Sequence, residues 1–221
     1  MSKFSRASAL QIIRNASTSA KAIAGFVVPE VNYAAHIVGS VEREAARSPK
    51  KAALIDGSTG VTITYGDLGY RIGAATRGFT ALGVTRGTTV ALHLPNSAEF
   101  IIAFSALAAV GAIVTTSNPA YTHLELAHQL RDSGASFVLT TPLFKPVVIA
   151  ASEAVGLNLV KILVLNEDPA TSFLTNDVSV SSRTVRALPD IVSVNARTHV
   201  LALPYSSGTT GLPKGVLAVD S

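Results

Sequence analysis

Short β-rich runs alternate with longer segments of helical periodicity along most of the chain. Apolar residues recurring every three to four positions predict helices, and compact runs of branched or apolar residues predict strands. The predicted helices are 31–47, 67–82, 97–110, 122–134 and 143–155. The predicted strands are 52–56, 61–65, 89–94, 112–116, 137–140, 160–165, 199–203 and 216–219. This alternation predicts an α/β fold with a mainly parallel sheet covered by helices on both faces.

Local signals mark several of the predicted boundaries. Residues 57–60, Gly-Ser-Thr-Gly, separate two strands and predict a hairpin. Thr64 is expected to cap the helix that follows it, and Asp67 adds a first-turn negative charge. Thr122 and Glu125 form a capping-box pattern. Between residues 166 and 197 the periodicity is lost, which predicts an irregular surface connection.

One apolar segment, residues 100–114, raises the alternative of a membrane span. It is shorter than the roughly 18 to 20 residues that a helix needs to cross a bilayer. Gly111 also divides it, so a buried helix followed by a strand is the favoured interpretation.

The N-terminal leader differs in composition from the rest of the chain. Lys3, Arg6, Arg14 and Lys21 are basic, and no acidic residue precedes Glu30. An acid-free, Ser/Ala-rich, Arg-bearing stretch is typical of a mitochondrial transit peptide, and the alternative is a disordered tail. We therefore expect a leader over residues 1–28, one domain segment over 29–221, and a mitochondrial location, otherwise a cytoplasmic or peroxisomal one.

Composition excludes several kinds of function. The chain has no cysteine among its 221 residues, so disulfides, thiolate metal sites and a cysteine nucleophile are ruled out. Four of the 18 basic residues lie in the leader, which leaves the body close to neutral against 14 acidic residues. A general nucleic-acid-binding surface is therefore not expected.

A glycine- and hydroxyl-rich segment near the C-terminus predicts a phosphate-binding loop. Residues 205–216 read YSSGTTGLPKGV. Glycines let a backbone approach an anion closely, hydroxyls donate hydrogen bonds, and the lysine adds a positive charge. The nucleotide-binding residues predicted from this segment are Ser206, Ser207, Gly208, Thr209, Thr210, Gly211 and Lys214.

Two common phosphate loops do not fit this segment. The Walker pattern requires Gly-Lys-Ser/Thr, whereas Pro213 precedes Lys214 and Gly215 follows it. A dinucleotide fingerprint requires Gly-x-Gly, and none of the 16 glycines has that spacing. The segment instead resembles the signature loop of the adenylate-forming (AMP-binding) acyl-CoA synthetase superfamily, in particular its 4-coumarate–CoA ligase branch.

Four upstream segments strengthen this resemblance. They are LPNSAEF at 94–100, the apolar segment that runs through Gly111-Ala112, TSNPAYT at 116–122 and ELAHQLRDSGA at 125–135. Together with the loop, the similarity covers about residues 30 to 217. The resemblance implies the incomplete N-terminal portion of an adenylate-forming ligase large domain.

The resemblance also implies a reaction and its ligands. An ATP-dependent acid–thiol ligase converts a carboxylic acid and ATP to acyl-AMP and then, with coenzyme A, to acyl-CoA. ATP, Mg²⁺ and coenzyme A are therefore the implied cofactors and co-substrates. The acid itself is left open between 4-coumarate-type and fatty acids.

Some features depart from the family pattern. The family's adenine, ribose, hinge and catalytic-lysine segments lie downstream of the loop and have no counterpart here, so no catalytic residue is assigned. Residues 217–221, LAVDS, replace a Thr-His-type continuation, and Thr198-His199 replaces an acidic pair. The alternative is therefore a catalytically inactive, truncated chain that binds phosphate or a partner without turnover.

Other candidate sites are weaker. His123, Glu125 and His128 suggest a metal site, but histidines five positions apart lie on different faces of a helix. No metal-ligating residue is therefore assigned. A Gly-x-Ser-x-Gly nucleophile motif is also absent from the sequence.

Overall fold

The computed structural model describes residues 32–57, 59–156, 161–168, 171–175, 191–206 and 213–220. Its helices are α1 (Tyr33–Arg47), α2 (Tyr65–Ala81), α3 (Ala98–Val110), α4 (His123–Ser133), α5 (Lys145–Val155) and α6 (Ser172–Thr175). Its strands are β1 (Ala52–Ile55), β2 (Thr62–Thr64), β3 (Thr89–His93), β4 (Ile113–Thr116), β5 (Phe137–Thr140), β6 (Ile162–Val164), β7 (Val200–Ala202), β8 (Tyr205–Ser206), β9 (Lys214–Gly215) and β10 (Ala218–Val219).

Six strands form the main sheet, in the spatial order β10-β7-β4-β3-β5-β6. All neighbouring pairs are parallel except β10 with β7, which is antiparallel. Strands β4 and β5 pair with opposite sides of β3, so the chain builds the sheet outward in both directions from its centre. The predicted α/β fold with a mainly parallel sheet is confirmed.

The two faces of this sheet are covered by different helices. Successive side chains of a strand point to opposite faces. Leu92 of β3 therefore packs with Ile72 of α2 and Ile102 of α3 on one face. Ala91 packs with a second apolar cluster that includes Leu126 of α4 and members of α5.

Side-chain caps fix the helix ends as the sequence predicts. Thr64 Oγ1 accepts from Asp67 N at 3.2 Å, and its hydroxyl donates to the Asp67 carboxylate at 2.7 Å. At α4, Glu125 N donates to Thr122 Oγ1 and Thr122 N donates to Glu125 Oε2. Gly111 ends α3 with φ 75°, a conformation that suits glycine. A Cβ there would also lie 3.3 Å from the Val194 side chain.

The apolar segment 100–114 forms helix α3 and then β4, as expected. No helix within the described residues combines the length and apolar character needed to cross a membrane. Both hairpin strands, β1 and β2, pair antiparallel as predicted. The predicted leader, residues 1–28, lies outside the described residues and its role stays a prediction.

Two parts of the C-terminal third differ from the prediction. Residues 166–197 were expected to be irregular, yet α6 forms within them, where Thr171 Oγ1 donates to the Val164 carbonyl. Residues 216–219 were expected to form one strand. Only 218–219 join the sheet as β10, while Lys214–Gly215 pair with β8 in a separate hairpin.

Candidate functional site

Strand β7 delivers the chain to the candidate site. Leu203 N donates to Val114 O at 2.8 Å, which continues the pairing of β7 with β4 beyond Ala202. Thr115 Oγ1 donates to Leu203 O at 2.9 Å, so a buried threonine holds the chain two residues before β8 begins. The chain therefore leaves the sheet from a fixed point.

The next residues form a short antiparallel hairpin. Its Cα partners are Tyr205 with Gly215 and Ser206 with Lys214. Its base closes where Val216 N donates to Pro204 O at 2.8 Å. The hairpin thus brings the two ends of the predicted phosphate-binding segment together.

The predicted nucleotide-binding residues divide into two groups. Ser206 and Lys214 lie opposite each other on the two strands, and both are exposed. None of the ion pairs between described residues includes Lys214. The remaining five, Ser207, Gly208, Thr209, Thr210 and Gly211, lie outside the described residues, and their roles stay predictions.

Helix α4 contacts both strands of this hairpin. The Tyr205 hydroxyl donates to Asp132 Oδ2 at 2.7 Å. His128 Nε2 lies 3.1 Å from Pro213 O. A carbonyl oxygen only accepts, so Nε2 of His128 must carry the hydrogen in this bond.

Tyr205 is half-buried, with its hydroxyl at Asp132 of α4 and its ring against Gly215 of β9. Burial raises the pKa of the Tyr205 hydroxyl, and its hydrogen bond to Asp132 and the charge of that carboxylate raise it further. The hydroxyl therefore stays protonated and remains a donor at neutral pH. A Cβ on Gly215 would lie 3.2 Å from the ring carbon Cζ, so glycine lets the tyrosine lie against β9.

A cavity of about 720 Å³ lies beneath the hairpin. Its polar lining includes His128, Asp132 and Lys214, and its apolar lining includes Leu203 and Leu217. Its volume falls in the range of small-molecule sites, about 300–1,000 Å³. The hairpin therefore borders a cleft rather than a flat surface.

Sequence reasoning missed the support that α4 gives the hairpin. Taken individually, His128 was considered only as a metal ligand, and Asp132 and Tyr205 appeared only as members of family-like segments. The available signal was the four-residue spacing of His128 and Asp132, which places both on one face of a helix. Across the described ranges no group of three or more His, Cys, Asp or Glu side chains is arranged to hold a metal ion.

Comparison with known proteins gives a consistent result. The family model described as "AMP-binding enzyme" matches residues 41–218. A 4-coumarate–CoA ligase of Oryza sativa subsp. japonica is 40% identical over 176 residues. That match covers 80% of this chain but only 31% of the rice enzyme. The chain therefore spans about a third of the length of this curated relative.

Solved structures are similar over most of the chain. A fatty acyl CoA synthetase of Mycobacterium tuberculosis has a TM-score of 0.66 and 28% identity, covering 83% of this chain and 34% of that one. A long-chain-fatty-acid–CoA ligase of Archaeoglobus fulgidus has a TM-score of 0.72 and 22% identity, and the match covers 88% of this chain and 38% of that one. At 22% identity, the likeness to the Archaeoglobus ligase concerns the fold alone.

Proposed function

Since the chain belongs to the family of AMP-binding enzymes, we propose that it supplies the ATP-phosphate-binding part of an ATP-dependent acid–thiol ligase. One observation carries this proposal most directly. The hairpin sets Ser206 opposite Lys214 at the two ends of the glycine- and hydroxyl-rich segment. A hydroxyl and an ammonium group, both exposed, are thereby available to one anionic ligand.

The proposed reaction has two steps. A carboxylate oxygen of the acid forms a bond to the α-phosphorus of ATP, the bond to the β-phosphate breaks, and pyrophosphate leaves. The thiol sulfur of coenzyme A then bonds to the acyl carbon, and the bond to AMP breaks. Two anions meet in the first step, so donors placed around the phosphates lower its barrier.

We assign the chain's own residues to the β- and γ-phosphates of ATP. Lys214 contributes a positive charge, and Ser206 contributes a hydroxyl. We propose the same phosphate-binding role for the other five residues predicted from this segment, which are Ser207, Gly208, Thr209, Thr210 and Gly211. Magnesium usually binds through phosphate oxygens, waters and one or two protein oxygens. We therefore propose that Mg²⁺ binds with the phosphates. The Ser206 hydroxyl is the oxygen of this hairpin that we propose as its protein ligand.

The acid is proposed from the relatives. The rice relative, named a 4-coumarate–CoA ligase, is 40% identical, whereas the mycobacterial fatty acyl CoA synthetase is 28% identical. We therefore propose an acid of the hydroxycinnamate type, with coenzyme A as the acceptor. Fatty acids are the alternative, and assaying 4-coumarate and palmitate side by side distinguishes the two.

The Lys214→Ala variant tests the proposed site in the protein expressed from its complete gene. A charge-assisted hydrogen bond contributes about 1.5–3 kcal/mol, so loss of the ammonium group should weaken ATP binding about 10- to 150-fold. Calorimetric titration with ATP measures the affinity. Exchange of radiolabelled pyrophosphate into ATP, measured with the acid present, reports the first step.

The matched control is Lys50→Ala, which removes another exposed lysine, between α1 and β1. This control should bind ATP as the unaltered protein does. Unchanged ATP affinity and pyrophosphate exchange in Lys214→Ala would contradict the assigned role. ATP binding by the unaltered protein without any exchange would instead indicate a phosphate-binding module without turnover.

A further inference from the structure

We propose that helix α4 positions the phosphate-binding hairpin, with His128 and Asp132 as positioning residues that set the affinity for ATP. This inference rests on the proposed function. It deepens that function by assigning residues outside the segment that carries the phosphate-binding groups. Each acts through another group: Asp132 through the Tyr205 side chain and His128 through the Pro213 carbonyl.

The two hydrogen bonds act on both sides of the hairpin, one on strand β8 and one on the residue that precedes β9. Tyr205 lies on β8, one residue before Ser206, and Pro213 directly precedes Lys214. The bonds therefore act next to the two exposed residues expected to meet the phosphates. A hairpin with only two residue pairs has little stability of its own, since isolated two-stranded ribbons are marginal in water. It needs such external contacts to keep one geometry.

Helix α4 is a suitable support because it is itself held firmly to the sheet. Leu126 and Leu130 are buried in the cluster on this face. Gln129, which is 1% exposed, donates to Thr115 Oγ1 at 2.7 Å and to Thr116 O at 3.0 Å. The hydroxyl of Thr115 in turn donates to Leu203 O. The same helix thus reaches the chain before the hairpin as well as both of its strands.

The close contact at Gly215 makes the Tyr205 arrangement specific. Tyr205 and Gly215 are Cα partners, and the ring lies against the place where a Cβ would be. The ring thereby keeps its hydroxyl directed at Asp132. Since burial raises the pKa of this hydroxyl, the bond keeps the same donor across neutral pH.

The experiment compares variants that remove a bond with variants that keep it. Tyr205→Phe and Asp132→Ala remove the first bond, whereas Asp132→Asn still offers an oxygen to the tyrosine hydroxyl. His128→Ala removes the second bond, whereas His128→Gln still offers an N–H to Pro213 O. Tyr70→Phe on α2 and His123→Ala at the exposed start of α4 are the matched controls.

Loss of one such bond should weaken ATP binding about 2- to 12-fold, because a partly exposed hydrogen bond contributes about 0.5–1.5 kcal/mol. Asp132→Asn and His128→Gln should restore most of the affinity. The KM for ATP should rise while the KM values for the acid and coenzyme A stay unchanged. A merely structural role would lower the melting temperature and shift all three constants together.

A readout without nucleotide completes the test. Val216 N donates to Pro204 O, so its amide hydrogen exchange reports the hairpin base. Exchange at Val216 should be faster in Tyr205→Phe and His128→Ala than in the controls. Unchanged exchange and unchanged ATP affinity would overturn the positioning role while leaving the proposed function intact. Failure of the unaltered protein to bind ATP would instead overturn the proposed function.

Discussion

The sheet interior and the β8–β9 hairpin are stabilised in different ways. In the interior, β3 and β4 are covered on one face by a continuous apolar cluster that includes Phe79, Leu92 and Ile102. In the hairpin, two strands of two residues each depend on side-chain bonds to α4. The interior gains its stability from many small apolar contacts, whereas the hairpin depends on a few directional ones.

This difference separates the consequences of mutation in the two regions. Removing a buried side chain should cost stability throughout the domain, because the interior is close-packed. Removing one bond at the hairpin should change the geometry of the proposed site with little effect on global stability.

The largest effect is expected in the interior. Phe79 on α2 is fully buried, so Phe79→Ala should lower the free energy of unfolding by about 3–5 kcal/mol through lost burial and a cavity. Urea denaturation, monitored by circular dichroism, measures this free energy of unfolding. Leu143→Ala is the control, because Leu143 is 78% exposed and its loss should change stability by no more than about 0.5 kcal/mol. Similar losses in both variants would contradict the account of the interior.

A smaller effect is expected from the buried histidine at the end of β3. His93 is 0% exposed, and its Nδ1 lies 2.8 Å from Ser117 Oγ. Burial lowers the pKa of His93 from its ordinary value of 6.5 to about 4. Above pH 6.5 the imidazole ring is neutral in both the folded protein and the unfolded chain. As the pH falls from 6.5 to about 4 only the unfolded chain gains the proton, so stability should fall by about 2–3 kcal/mol.

In His93→Leu, the free energy of unfolding should depend less steeply on pH. Part of the pH dependence should remain, because burial also lowers the pKa of His199. The measurement is urea denaturation at a series of pH values between 4 and 7. His36→Gln, at an exposed position on α1, should keep the full dependence. A profile in His93→Leu as steep as that of the unaltered protein would show that His93 is protonated as easily when folded as when unfolded.

The interior was predictable from sequence because its signals are local. The capping box at Thr122 and Glu125 and the glycine that ends α3 both act within four residues. Apolar periodicity then identified which segments pack on the sheet. Strand bounds were less accurate: residues 199–203 were predicted and β7 spans Val200–Ala202.

The hairpin was only half predictable, because its supports are distant along the chain. Sequence alone marked Ser206 and Lys214 by residue type. The bond from Tyr205 to Asp132 joins residues 73 positions apart, and the one from His128 to Pro213 joins residues 85 apart. No local pattern links such positions, and the strand β9 has only two residues. Tertiary placement decides both contacts.

The smallest change in stability is expected when α4 is altered at the end far from the hairpin. Thr122 caps the helix at the end opposite Asp132, and loss of such a cap costs about 1 kcal/mol. Thr122→Ala should therefore lower the free energy of unfolding by that amount, while Thr122→Ser, which keeps a hydroxyl, should not. ATP affinity should stay the same in both, since His128 and Asp132 keep their bonds. If Thr122→Ala weakened ATP binding as much as Tyr205→Phe, the hairpin would depend on the whole helix rather than on two side chains.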